Sequence, residues 1–545
     1  LKYKANLKNR TTEQSPIAHS PFTNDHNQEV VMKSYKSNLY SGIGSLLLVA
    51  VILITDTNVM AQQQDVDAIT SQMKNASPSV RAKLVEILSG MGGPSVVAAL
   101  VEALGDEASQ VRREAADALG EIGDPRAVPA LMAAFQDNAR DVRREVVESL
   151  DELHDIRAMS VLIEALDDES SDVRREAVDA LGHMEDPAAI ERLQEALSDP
   201  NSEVRREAAD AIGDIGGAAA VPALIQALQD GSSEVRREAA DALGQIQDNA
   251  AVEALINALN DESREVRREA ADALDMIGDP AAVPGLIKAL NDESREVRRE
   301  AGDGLGEFES TEAVDALIEA LKDQHHDVRR QATDALGQIG DVRAVPALIE
   351  ALKDQETDVR REAADALGQI GDASAIKGLL DALSNLAVYV RREAAESLGS
   401  MEASSVEVVT ALTGTLTDQA MDVRRQSALS LGWIGKPAEA AVPVLEEKLE
   451  DPDNKTAINA AYALTMMEQA EPEKVIPILV KGLRIRVWNG EVHYRSAKAL
   501  GRLRFSAGEA IPSLNSSARS KVEWVRDASA DALNRINANS SSEGN

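Results

Sequence analysis

Along most of the chain, apolar residues recur with a period that suits a helix and not a strand. In the stretch DVRREAADALGQIGD (358–372) they fall at Val359, Ala363, Ala366, Leu367 and Ile370, a stripe down one face of an α-helix. Asp358 stands where an N-cap is expected, and Gly371 where a left-handed residue would close the helix. Just upstream, AVPALIEAL (344–352) carries a second and shorter apolar pattern with proline near its start. The same proline recurs at Pro129, Pro222, Pro284, Pro346 and Pro443; a first turn tolerates it because the N–H there has no helical partner. The pattern predicts pairs of helices joined by connections of a few residues, and nothing in it resembles a strand.

The pair repeats. Counted from the valine of VRR, the phrase recurs at Val80, Val111, Val142, Val173, Val204, Val235, Val266, Val297, Val328, Val359 and Val390, each 31 residues after the last. The spacing then loosens to Val423, Thr456, Val492 and Val525, in steps of 33, 33, 36 and 33. That makes fifteen units. Self-similarity at such a period marks an array in which each unit buries its apolar face on its neighbours.

These residues carry a family likeness. The 31-residue unit, with LxD before the second helix and VRxxAxxALG within it, resembles HEAT repeats, of the short type named after phycobilisome lyases. The likeness runs over about 65–535. It implies an all-α fold, an α-solenoid (superhelix) of about fifteen two-helix repeats, with the second helices lining a concave face. It also implies a role for two polar rows, an aspartate five residues before each repeat valine and an arginine one residue after it. The pairs Asp106 and Arg112, Asp137 and Arg143, Asp168 and Arg174, Asp199 and Arg205, and Asp230 and Arg236 begin these rows. Asp261 and Arg267, Asp292 and Arg298, Asp323 and Arg329, and Asp354 and Arg360 continue them, with Arg391, Asp418, Arg424 and Asp451 later. In the family such residues form an Asp–Arg ladder between neighbouring repeats, so the expected role is structural. A phosphate-binding arginine track is disfavoured because each arginine has an acid available.

Four positions of the second helix remain polar: Arg361, Glu362, Asp365 and Gln369 in the quoted stretch. They are expected to coat the exposed, concave side, either as a solvated and self-neutralising face or as a docking surface for an extended or basic protein partner. Departures from the phrase are the other functional pointers. Trp433 replaces the polar residue at the last of those positions, as an interface anchor or as packing against the irregular repeat that follows. The stretch KGLRIRVWNGEVHYRSAKALGRLR (481–504) gathers Arg484, Arg486, Trp488, His493, Tyr494 and Arg495. It reads as a partner site, or as a lengthened loop where the array ends.

Composition narrows the chemistry. Lys+Arg number 57 against 93 Asp+Glu, a net charge of −36, which argues against nucleic acid and against an anionic membrane surface. Apolar residues make up 44% but aromatics only 2%, a mix suited to close packing of small aliphatic side chains. The absence of cysteine excludes disulfides, thiol catalysis and cysteine-ligated zinc. The seven histidines are scattered; His154, His183, His325 and His326 are expected on the surface, and no metal or cofactor is expected. Members of the HEAT-like family include phycobilin lyases and deoxyhypusine hydroxylases, the latter holding iron with His-Glu pairs. An enzyme of either kind is the alternative reading; the hydroxylase is disfavoured because no His-Glu dipeptide occurs, and the lyase because an exported protein has no evident bilin chemistry to do. Catalytic signatures such as HExxH, GxSxG and the P-loop are also missing.

The N-terminal part is of another kind. Residues 1–31 are polar and aperiodic, a disordered leader that is expected not to be translated, with Met32 as the start. From there MKSYK, the 12-residue apolar run IGSLLLVAVILI (43–54) and VMA before QQQ give 32–61 the layout of a secretory signal peptide, cut after Ala61. The run is short for a membrane span of ~20 residues, which makes an uncleaved membrane anchor the secondary reading. The mature part then comprises the repeats at 62–536, regular to about 400 and longer afterwards, and a disordered tail at 537–545. Together these readings describe an exported, periplasmic or extracellular scaffold without enzymatic activity, built to bind protein.

Overall fold

The computed structural model describes residues 63–485 and 490–538. The leader, the signal segment and the last seven residues lie outside the described residues, as do Arg486 and Trp488. The chain forms two compact units, Leu1–Val161 and Leu162–Asn545, and each is described by itself. Among the described residues every regular element is helical, and the repeats form an α-solenoid.

One repeat of the second unit shows how local chemistry builds the rest. Asp341 accepts the backbone N–H of Arg343 on its carboxylate at 2.9 Å and so opens a 3-10 turn, Val342–Ala344. That turn leads into the first helix, Val345–Ala351, with Pro346 in its first turn. After a short connection the second helix runs Thr357–Ile370. Its N-cap is Glu356, not Asp358, and Glu356 caps with its extended backbone alone. Asp358 lies inside the first turn, where its charge still faces the positive end of the helix dipole. Gly371 closes the helix at φ 72°, a conformation that costs other residues ~1 kcal/mol or more.

Second helices pack on second helices at very short range. Val359, Ala363, Ala366 and Leu367 are buried, and Ala364 is buried with them although the stripe did not include it. The reason is a second contact surface, formed where neighbouring second helices cross. A Cβ added at Gly337 would come within 2.8 Å of the Ala366 Cα, so glycine on one helix and alanine on the next set the spacing. This explains why the chain is rich in small aliphatic residues and poor in aromatics. Where Asp275 occupies the glycine position, the facing residue is Gly304, whose added Cβ would stand 3.3 Å from the Asp275 Cβ. Bulk lost on one helix is recovered on the other.

The turn edge carries the charged rows. Asp354 shows the arrangement in full. Its Oδ1 accepts from the Glu356 N–H at 2.8 Å and from Arg329 Nη2 at 2.8 Å, and its Oδ2 accepts from Arg329 Nε at 2.7 Å. Its carbonyl accepts from Nη1 of its own repeat's Arg360 at 2.6 Å. The arginine of one repeat thus binds the aspartate carboxylate of the next, and the arginine of that next repeat binds the same aspartate's carbonyl. In the second unit the same bidentate geometry joins Arg174 to Asp199, Arg205 to Asp230, Arg236 to Asp261, Arg267 to Asp292, Arg298 to Asp323, Arg391 to Asp418 and Arg424 to Asp451. In the first unit it joins Arg81 to Asp106 and Arg112 to Asp137. Arg143 donates to the Asp137 carbonyl at 2.9 Å, and Asp168 accepts from the Ser170 N–H and the Arg174 guanidinium, both at 2.8 Å. Removing one partner of such a buried pair costs about 3–5 kcal/mol.

Candidate functional site

The face of the second helices that turns from the apolar stripe is narrower than its four polar positions suggest. Arg361 and Asp365 are half-buried and Gln369 is exposed, but Glu362 is buried at 7% exposure. The same holds for Glu145, Glu207, Glu238, Glu269 and Glu393. The expectation that this glutamate row coats the open face is thus corrected: the row sits sideways, in the crossing between neighbouring second helices. Each buried glutamate has the preceding arginine for company, as with Arg361 Nη2 at 2.8 Å from Glu362 and Arg268 Nη2 at 2.6 Å from Glu269. Burial nevertheless dominates and pushes Glu269, Glu362 and Glu393 up to about 7. Neighbouring carboxylates add to it, Asp334 and Asp365 at Glu362 and Glu396 and Asp365 at Glu393. At Asp275 burial, then Asp303 and Glu307, raise the carboxyl to about 6.

What remains open along this face is a row of half-buried arginines (Arg206, Arg237, Arg268, Arg299, Arg361, Arg392), a row of half-buried aspartates, and the exposed Asp214, Gln245 and Gln369. Such a surface is able to make charged hydrogen bonds to an extended chain.

The two departures noted in the sequence lie apart. Trp433 is half-buried near the end of the helix Met421–Ile434. In the C-terminal cluster, Arg484 donates to Ser513 Oγ at 3.0 and 3.2 Å. Arg495 binds Glu491 at 2.9 Å and reaches Asn459 Oδ1 at 3.5 Å. Tyr494 meets Trp524 edge to face at 5.5 Å between centroids, with Lys498 Nζ 5.6 Å from the tyrosine ring. His493 is partly buried, which lowers its pKa. These contacts tie the helix Glu491–Leu503 to the repeats on either side of it. Among the described residues no group of three or more His, Asp or Glu is placed to hold a metal ion, and no helix is long and apolar enough to cross a membrane.

One feature escaped the sequence reading. The aspartate row has a gap between Asp354 and Asp418, where Asn385 takes the place of the acid. Asn385 Oδ1 accepts the Ala387 N–H at 2.9 Å, as the aspartates do for their own turns. Arg360 is left without a carboxylate: Nη1 rests on the Asp354 and Gln355 carbonyls at 2.6 and 2.9 Å, and Nη2 on Thr357 Oγ1 at 2.9 Å. Its buried Nε finds no acceptor among the described residues. The signal was the row itself, in which a missing member is as legible as a present one.

Comparison with known proteins agrees with this architecture. The family model for HEAT repeats matches residues 66–151, 159–233, 221–292, 283–361, 345–432 and 376–465, and that for the PBS lyase HEAT-like repeat matches 142–168. No curated protein matches the chain. A crystal structure of importin beta in a polyethylene glycol condition is similar at a TM-score of 0.64 and 14% identity, over 93% of this chain and 86% of that one. Kap121p bound to Ste12p is similar at 0.54 and 13%, over 87% and 65%. Human deoxyhypusine hydroxylase shares 30% identity over 46% of this chain and 98% of its own, but with a TM-score of 0.23 that likeness carries no argument.

Proposed function

The chain belongs to the HEAT-repeat family, and from that premise we propose that it is an exported, non-enzymatic scaffold that binds a protein partner along its second helices. The observation that carries this reading is the repeated row of arginine, aspartate and glutamine side chains that the packing of the repeats leaves open. A partner spanning several repeats meets the same donors and acceptors at each step, so modest contacts sum over its length. The net charge of −36 favours a basic partner and speeds its approach. The fold is compatible with protein binding, since Kap121p, which shares it, has been solved bound to Ste12p. Export rests on the layout of 32–61, and the uncleaved anchor is its alternative.

The test is cross-linking of the purified protein in its own cell envelope, with the captured partner's binding then measured against a triple variant, Asp214→Lys, Gln245→Lys and Gln369→Lys. A basic partner should bind the variant about tenfold more weakly or worse, and wild-type binding should weaken with salt. Unchanged affinity would remove the second-helix face from the proposal. Bound iron or a visible absorbance band in the purified protein would replace it with the enzyme reading. An N-terminus far from Gln62 would sink the cleavage.

A further inference from the structure

The connections between first and second helices are acidic. From Asp106 to Asp453 every such turn carries at least one acid in the six residues before its repeat valine, or threonine in the last, except SNLAVY (384–389), which carries no charge. There the acids are replaced by apolar residues that stand in water. Leu386 is 98% exposed and Tyr389 63%, and Met421 in the following turn is 48% exposed. The turn is firmly held. Arg391 Nη1 donates to the carbonyls of Asn385 and Leu386 at 2.8 and 3.1 Å, while its Nε and Nη2 bind Asp418 at 2.7 and 2.9 Å. Leu386 is therefore presented outward on a fixed backbone.

This turn also gives up stability. The asparagine that makes it uncharged is the one that leaves Arg360 Nε buried without an acceptor. A site that breaks the local rule twice, exposing apolar surface and opening a ladder rung, is the kind that function maintains. Its surroundings state what it would accept. Glu356 and Asp358 are exposed in the turn before it, and Asp422, half-buried and paired with Arg425 at 2.8 Å, stands in the turn after. An apolar centre between two acidic rims has the anatomy of a small protein interface, and its complement is an apolar centre between basic rims.

We propose that Leu386, Tyr389 and Met421 form a docking surface on these turns for a segment of a partner protein in which one or two large apolar side chains are flanked by lysine or arginine. The proposal rests on the scaffold reading and adds to it a place other than the second-helix face. An acidic segment is disfavoured because it meets Glu356, Asp358 and Asp422, while the Arg360 Nε is enclosed.

A random dodecamer phage library panned against the purified chain tests this. Enriched peptides are expected to carry Leu, Ile, Phe or Trp between basic residues. By fluorescence anisotropy, a synthetic copy should bind the double variant Leu386→Ser, Tyr389→Ser at least about tenfold more weakly than the wild type. The variant's circular dichroism melt should match the wild type, since both side chains are exposed. No enrichment, enrichment of Asp/Glu-rich peptides, or peptides that bind the double variant as well as the wild type would overturn the proposal. So would sedimentation showing that the wild type self-associates and the double variant does not, because a second copy would then occupy the patch. Peptide binding lost only in the Asp214→Lys, Gln245→Lys, Gln369→Lys variant would refute the turn site and leave the second-helix scaffold standing. Loss only in the double variant is the expected result, and it leaves the second-helix face to its own test.

Discussion

Replacing Asn385 with aspartate should close the open rung, and the size of the effect follows from the rungs on either side. Arg329 reaches Asp354 at 2.7 and 2.8 Å, and Arg391 reaches Asp418 at 2.7 and 2.9 Å. Asn385 already holds the backbone of its turn as those aspartates do, so the new carboxylate needs no rearrangement beyond the turning of Arg360 away from Thr357. Hydrogen bonds to a charged group contribute about 1.5–3 kcal/mol, and a buried donor left unsatisfied costs about 1–3 kcal/mol. Against this stands the desolvation of the new carboxylate, several kcal/mol before its partners are counted. A net stabilisation of about 1–2 kcal/mol results, a factor of roughly 5–30 in the local opening equilibrium. An array of this length does not melt as one unit, so the assay is hydrogen exchange read by mass spectrometry over Thr357–Ile370 and Val388–Ser400. Exchange there should slow by that factor in Asn385→Asp, and the gain should vanish when Arg360→Met is added. At Asp354 burial pushes the carboxyl up, but Arg329, the Glu356 N–H and Arg360 outweigh it and hold the pKa below its ordinary value. A carboxylate depressed in the same way at 385 contributes above the unfolded pKa of about 3.9, and its contribution is lost as pH falls through the lower folded value. Unchanged or faster exchange in Asn385→Asp, or a gain that survives Arg360→Met, would refute the role assigned to the ladder.

Other outcomes follow from the same geometry. Glu269, Glu362 and Glu393 are raised from 4.5 to about 7 by burial, so they bind more protons folded than unfolded; their contribution is full below about 4.5 and lost as pH rises through about 7. The ladder aspartates act in the opposite sense below about 3.9, so resistance to urea should peak near pH 5 and fall on both sides; a maximum at pH 8 would contradict the buried glutamate row. Gly337→Ala should destabilise local opening by about 1–3 kcal/mol, read by hydrogen exchange over His326–Ile339 and Thr357–Ile370, although alanine is the better helix former, because its Cβ would lie 2.8 Å from the Ala366 backbone. Gly304→Ala should stabilise more in an Asp275→Gly background than in the wild type, with a coupling of about 0.5–1 kcal/mol, since that Cβ meets Asp275 at 3.3 Å; additivity would refute the exchange of bulk between the two helices.

The legible part of the fold was whatever periodicity encodes. Val359, Ala363, Ala366 and Leu367 point inward because an α-helix places them on one side, and Gly371 closes its helix for a backbone reason that a single residue states. Asp358 was misplaced by two residues because this cap is made by extended backbone at Glu356, without a side-chain bond that the sequence could advertise. Glu362 was misread for a deeper reason. A charged residue on the flank of a helix reads as exposed, and its burial is decided by a neighbouring helix that comes unusually close. In the candidate sites, type was readable and partnership was not. Arg484 and Arg495 attract notice as cations in an acidic chain, yet both bind side chains of adjoining repeats, Ser513 and Asn459. Leu386 attracted no notice, because one leucine in a turn is ordinary until its exposure is known.

The ladder pairs each repeat only with the next, and that has a consequence for how such a chain changes over generations. An arginine at one step accepts whichever aspartate the following step supplies, 25 residues on. If recombination excised the 31 residues from Asp230 to Asn260, Asp261 would arrive at Arg205 in the position Asp230 had held, and no donor or acceptor would be orphaned. Duplicating the same segment would be equally silent. The bonding pattern is indifferent to how many copies it joins, so the length of the array is open to inheritance in whole repeats, while the unusual turn at Asn385 travels with its own repeat to whatever position the count assigns it.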